Sequence, residues 1–113
     1  MPRRRVGTLV SVRVWLDDRR VPAEGWAWVK TPAEAIALLG AGNVEELSLD
    51  HDLGQTDDTG REETGYDVLL WIEERQAREG MVPPHLAVHS ANSPAHERMA
   101  RAIDSINRWR ASP

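Results

Sequence analysis

Val10, Val12, Val14 and Leu16 alternate with Ser11, Arg13 and Trp15. That period of two predicts a strand over residues 9–16. Trp15 falls on the opposite face, which points to a strand apolar on both sides, as parallel sheets require. Pro22 to Gly25 reads as a turn, and Trp26-Ala27-Trp28-Val29-Lys30 as a short second strand. The link between the two is too short for a crossover helix. Thr31-Pro32-Ala33-Glu34 then combines an N-cap, a first-turn proline and capping-box spacing. Ala35, Ile36 and Leu39 give that helix its apolar face, and Gly40 and Gly42 stop it.

A third strand is expected over Val44–Leu49. The polar run Gly54–Glu63 is expected to form a mobile loop over the strand ends. Thr64–Glu79 is the clearest helix: Thr64 and Asp67 have capping-box spacing, and Val68, Leu69, Trp71 and Ile72 form a stripe. Leu70 falls off the stripe and reads as an ordinary exposed leucine. Pro83-Pro84 breaks the chain before a fourth strand, His85–His89. Ser93-Pro94 opens a last helix with Met99, Ile103, Ile106 and Trp109 as its buried stripe. Strands alternating with helices make the class α/β with a mainly parallel sheet.

Composition narrows this picture only slightly. A length of 113 residues fits one domain. The expected division is a mobile basic arm over residues 1–8 and a single domain over 9–113, the three arginines of the arm reading as solvated. A net charge of −4 gives no bulk attraction to nucleic acid. With no cysteine there are no disulfides or thiolate metal sites, and a cytoplasmic location is expected. No apolar run is long enough to span a bilayer, no secretion signal is read, and no membrane partner is expected.

Candidate chemistry gathers where strands end. The first ends in Asp17-Asp18, followed by Arg19-Arg20. The third ends in Asp50-His51-Asp52, and the fourth in His89-Ser90-Ala91-Asn92. In a parallel sheet these ends share one rim, where ligands of open α/β folds bind. Clustered carboxylates repel one another unless a cation sits between them. Hard oxygen ligands suit Mg²⁺ or Mn²⁺, and the imidazoles keep Fe²⁺ and Zn²⁺ open. Ser90 and Asn92 near a helix start favour an anion, and Arg20 could clamp a phosphate oxygen. His51 and His89 are candidates for proton transfer. A phosphorylated or phosphodiester ligand is therefore expected. The acidic residues Asp57, Asp58, Glu62 and Glu63 read as a solvated charge run.

The acidic pair, Asp50, the run Gly65-Tyr66-Asp67-Val68-Leu69-Leu70-Trp71-Ile72 and Ser90-Ala91 resemble a response-regulator receiver domain. By that resemblance Asp17 and Asp18 hold Mg²⁺, Asp50 is the phospho-accepting position, and Ser90 contacts the phosphoryl group. The position whose backbone carbonyl reaches the metal is Asp52. The chain departs from receivers in lacking the first crossover helix, the fifth strand and its lysine. A divergent branch is more similar: the cyclic-phosphate-processing receiver-like family. Its signature resembles Leu16-Asp17-Asp18-Arg19-Arg20, Ser48-Leu49-Asp50-His51-Asp52-Leu53-Gly54, Thr64-Gly65-Tyr66-Asp67 and His89-Ser90-Ala91-Asn92, over roughly residues 12–107.

The resemblance implies a compact receiver-like (flavodoxin-like) α/β sandwich, with a parallel sheet of about four strands in the order 2-1-3-4. An exposed fourth-strand edge would be covered by the last helix or by a second subunit, making a homodimer an open expectation. The functional expectation is a metal-dependent phosphoesterase acting on cyclic or terminal phosphates of a nucleotide or an RNA end. Asp17, Asp18, Asp50 and Asp52 would be metal ligands, Asp50, His51 and His89 catalytic, and Arg20, Ser90 and Asn92 phosphate-binding. The alternatives are a non-catalytic module that binds a phospho-ligand or a protein, and a phospho-accepting signalling receiver.

Overall fold

The structure is a computed structural model, and it describes residues 11–90 and 93–111. The expected N-terminal arm and Asn92 lie outside the described residues. In chain order the elements are β1 (Val12–Leu16), β2 (Trp26–Val29), α1 (Pro32–Ala41), β3 (Val44–Leu49), β4 (Asp52–Thr56), β5 (Glu62–Thr64), α2 (Gly65–Glu79), β6 (His85–Val88) and α3 (Ser93–Ala111).

Four strands form a parallel sheet in the order β2-β1-β3-β6. This is the expected receiver-like order, with β6 as the fourth strand. Helix α1 starts as its sequence dictates: the Thr31 hydroxyl accepts from the Glu34 amide at 3.1 Å, and the Glu34 carboxylate accepts from the Thr31 amide at 3.1 Å. It ends at Gly42, whose φ of 86° is the left-handed conformation that favours glycine. Among the described residues, no helix is long and apolar enough to cross a membrane.

All three helices pack on one face of the sheet. Val14, Leu16, Val29, Leu47 and Leu49 point into a single core with Ala35 and Leu39 of α1, Val68, Leu69 and Ile72 of α2, and Met99, Ile103 and Ile106 of α3. The other face carries two in-register rows: Trp26, Arg13, Glu46 and His85, then Trp28, Trp15, Ser48 and Ala87. The sandwich is thus two-layered, one sheet and one helical layer. Among the described residues, no second helical layer covers Trp15. Trp15 stacks on His89 with ring centroids 3.7 Å apart and meets Trp26 edge-on at 6.0 Å. The cause is the short link at residues 17–25, which cannot hold the helix that would cover this face.

Two further expectations change. Trp109 is 57% exposed and not part of the α3 core stripe. The run expected to be a mobile loop is instead a two-stranded antiparallel hairpin, β4–β5. It is held by Leu53, which is fully buried, and by Gln55 Nε2 donating to the Lys30 carbonyl at 2.8 Å. Its tip is organised by Asp57 Oδ1, which accepts from the Thr59 amide, the Thr59 hydroxyl and the Arg61 amide. Arg61 then reaches Asp67 of α2 at 2.8 Å.

Candidate functional site

The carboxyl ends of β1 and β3 bring Asp17, Asp18 and Asp50 together. One oxygen from each lies within 4.8 Å of the others. A cleft of roughly 330 Å³ opens over them, lined by these residues with Arg19, Arg20, Asp52, Gly54 and Glu62.

Asp17 is fully buried, yet its carboxylate is satisfied. Oδ1 accepts from the amides of Arg19 at 2.8 Å and Arg20 at 2.9 Å, and Oδ2 lies 3.0 Å from His89 Nε2. Burial alone would raise its pKa. The Arg20 and Arg19 amides and His89 outweigh that and hold the pKa below the ordinary aspartate value. Asp50 is the opposite case. It is 7% exposed, and its Oδ1 accepts only from the next amide, that of His51, at 2.9 Å. No hydrogen-bond partner of Oδ2 is found among the described residues. Burial, then the charge of Asp17, push the Asp50 pKa up.

An all-oxygen donor set, one member of which is buried beside a like charge, suits a hard divalent cation. The residues therefore fit the Mg²⁺ that receiver domains bind through acidic residues.

His89 is held at both ring nitrogens. Nδ1 lies 2.8 Å from Ser48 Oγ, and Nε2 faces Asp17. Burial lowers the His89 pKa despite the neighbouring carboxylates. A neutral ring that donates from Nε2 to Asp17 and accepts at Nδ1 from the Ser48 hydroxyl satisfies every contact. This geometry fits His89 to orienting Asp17. His51 is also buried, its Nδ1 lying 2.8 Å from Asp52 Oδ1. Asp52 lines the cleft but stands outside the close cluster of Asp17, Asp18 and Asp50.

Arg20 lines the cleft, donates from Nη1 to the His89 carbonyl at 2.8 Å and lies 4.0 Å from Asp17. Ser90 is half-buried just past β6 and is not among the cleft's lining residues. Asn92 lies outside the described residues.

Sequence reasoning missed several parts of this site. Glu62 belongs to the cleft rim, although it was grouped with a solvated charge run. Gly65 opens α2 against the Asp50 backbone: a Cβ there would lie 1.9 Å from the Asp50 carbonyl oxygen. Gly54 has a φ of +66°, and a Cβ there would lie 3.2 Å from Asp18 Oδ2. Gly54 stands two residues past the acidic strand end, which was a signal for it, whereas Gly65 lies beyond the hairpin and had none there.

The family model of the cyclic-phosphate processing receiver domain matches residues 12–105. No curated protein and no solved structure matches the chain. The match spans most of the chain, including every strand and helix that builds the cleft, and the chain belongs to that family.

Proposed function

We propose that this cyclic-phosphate-processing receiver domain is a metal-dependent phosphoesterase for cyclic or terminal phosphates. The observation that carries the reading is the Asp17, Asp18 and Asp50 cluster at the floor of an open cleft. In this reading the three carboxylates hold one Mg²⁺ or Mn²⁺, with Asp52 at its margin. A bound ion would polarise a phosphoryl oxygen and offset charge that develops in the transition state.

The chain's own residues do the rest. Arg19 and Arg20 border the cleft and supply guanidinium groups for phosphate oxygens. Their backbone amides fix Asp17, and His89 locks its other oxygen. A ligand carboxylate held at this many points loses little freedom on binding an ion. His51 and His89 are the acid–base candidates, His51 oriented by Asp52 and His89 by Asp17 and Ser48. Ser90, just past β6, and Asn92, by its sequence position alone, are further candidates for phosphate oxygens. The substrate would be a nucleotide or an RNA end.

A second reading is a non-catalytic phospho-ligand module, and one observation favours it. Lys30 is the only lysine in the chain, and its ammonium sits over the Trp28 ring at 4.7 Å. The lysine with which receivers read their phosphoryl group has no counterpart in the cleft lining. For the same reason a phospho-accepting signalling role is the least supported of the three.

The test is ring opening or phosphate release from 2′,3′-cyclic nucleotides and cyclic-ended RNA, with Mg²⁺, Mn²⁺ or chelator. Metal-dependent turnover that disappears in Asp50→Asn, with the fold retained, is the expected result. An Asp50→Asn protein with full activity refutes the reading. Tight nucleotide binding without turnover in any metal transfers the assignment to the binding module.

A further inference from the structure

The open face of the sheet has a chemistry of its own. Trp28 is 38% exposed, and Trp26 beside it is half-buried. Each carries a cation: Arg13 Cζ lies 5.2 Å from the Trp26 ring centre, and Lys30 Nζ lies 4.7 Å from that of Trp28. Neither Arg13 nor Lys30 has a carboxylate within ion-pair distance among the described residues, whereas Arg61 and Arg78 both do. Glu46 stands next to Arg13 in the sheet register without pairing to it. Flat aromatic surface with unneutralised positive charge beside it is the combination that binds single-stranded nucleic acid. Bases stack on the rings, and the cations meet the phosphates.

This face runs directly into the cleft. Trp28 Nε1 donates to the Asp17 carbonyl at 2.7 Å, so its ring adjoins the first metal-cluster residue. Trp26 lies two positions back along β2, about 6.6 Å further from the strand end. We propose that the Trp28–Trp26 face is a stacking platform for the oligonucleotide whose terminal phosphate enters the acidic cleft. The inference rests on the phosphoesterase reading and makes its substrate a single strand rather than a free nucleotide. The nucleotide next to the phosphate stacks on Trp28 and the following one on Trp26, while the exposed side chains of Lys30 and Arg13 move off those rings to meet the backbone.

The test separates the platform from the chemistry. Binding of a labelled hexaribonucleotide with a plain 3′-hydroxyl is followed by fluorescence anisotropy in chelator, for wild type, Trp26→Ala, Trp26→Phe and Arg13→Ala. Turnover of a mononucleoside 2′,3′-cyclic phosphate is measured in parallel with metal. Trp26→Ala should weaken hexamer binding by about five- to a hundred-fold, and Trp26→Phe should restore most of it. Arg13→Ala should make the salt dependence shallower by about one phosphate contact, a readout that survives if Trp26→Ala fails to fold. Mononucleotide turnover should be the same in all four proteins. Hexamer affinity unchanged in both Trp26→Ala and Arg13→Ala overturns the platform. So does a Trp26→Ala protein that loses a dimer in sedimentation but not its oligonucleotide affinity, since the face would then be a self-association surface. Hexamer binding without turnover of any phosphate leaves the platform standing and removes the phosphoesterase. Turnover without hexamer binding does the reverse.

Discussion

Substitution of Gly65 by alanine tests how the fold holds the acidic site. Gly65 is the first residue of α2, and its amide donates to the His51 carbonyl at 3.2 Å. A Cβ at this position would lie 1.9 Å from the Asp50 carbonyl oxygen, 3.0 Å from its carbon and 3.2 Å from Met99 Cε. The first two contacts are backbone, so no flexible side-chain end can move aside. Either α2 or the end of β3 must shift by about 1 Å or more, at an overpacking cost of about 3 kcal/mol. Alanine returns up to about 1 kcal/mol through better helix propensity and a less free unfolded chain. The net loss is about 2 kcal/mol, or roughly 10 °C in Tm for a domain of this size. Because Asp50 is the residue displaced, Mn²⁺ affinity should fall with stability. Differential scanning calorimetry and Mn²⁺ titration by electron paramagnetic resonance read the two effects. A Gly65→Ala protein with unchanged Tm and unchanged Mn²⁺ affinity would refute the argument that this close approach positions Asp50.

Three other outcomes follow from the site and the caps. Asp50 has a folded pKa raised above its ordinary 3.8 by burial and by Asp17. It therefore adds stability below that value, which is lost as pH rises through the folded pKa. In metal-free protein, Asp50→Asn should remove that loss and raise urea stability at neutral pH. His89 has a pKa lowered by burial from its ordinary 6.5, so its contribution is present above that value and fades as pH falls toward the folded pKa. His89→Gln should flatten this acid limb in urea unfolding followed from pH 7 downwards; an unchanged slope would assign the limb to other groups. Thr31→Ala removes one half of the α1 capping box and should cost about 1 kcal/mol in urea unfolding, with no change in Mn²⁺ affinity.

The helices and sheet strands were legible because each follows one dominant rule. Thr31-Pro32-Ala33-Glu34 carries its cap in the sequence, and Val12, Val14 and Leu16 carry the period of a strand. The acidic site was legible because the strand order puts the ends of β1 and β3 side by side. The β4–β5 hairpin was not. Asp52-Leu53-Gly54-Gln55-Thr56 and Glu62-Glu63-Thr64 are poor in strand-forming residues, and one buried leucine does the work of an apolar pattern. The hairpin is fixed by contacts beyond its own sequence, to the Lys30 carbonyl and Asp67. Glu62 consequently reached the cleft without any local signal. The pairing of His89 with Asp17 and Ser48 was equally hidden, because it joins β6 to β1 and β3 across the sheet.

The open face carries a different lesson, since its signal was present and pointed two ways. Trp15 between core positions suggested a strand buried on both sides, while the link at residues 17–25 was too short to supply a helix for the second side. The short link decides, because chain length is a hard limit and a tryptophan can be covered by neighbours instead of a layer. His89 and Trp26 provide that cover, and the 17–25 link adds to it, with Trp15 Nε1 donating to the Arg20 carbonyl at 2.9 Å. The same link carries Asp18, Arg19 and Arg20 into the cleft. Its brevity both leaves an aromatic sheet face without a helix and ties that face to the acidic site, through Trp15 to His89 to Asp17. A ligand that reaches the carboxylates from this side passes the tryptophans first.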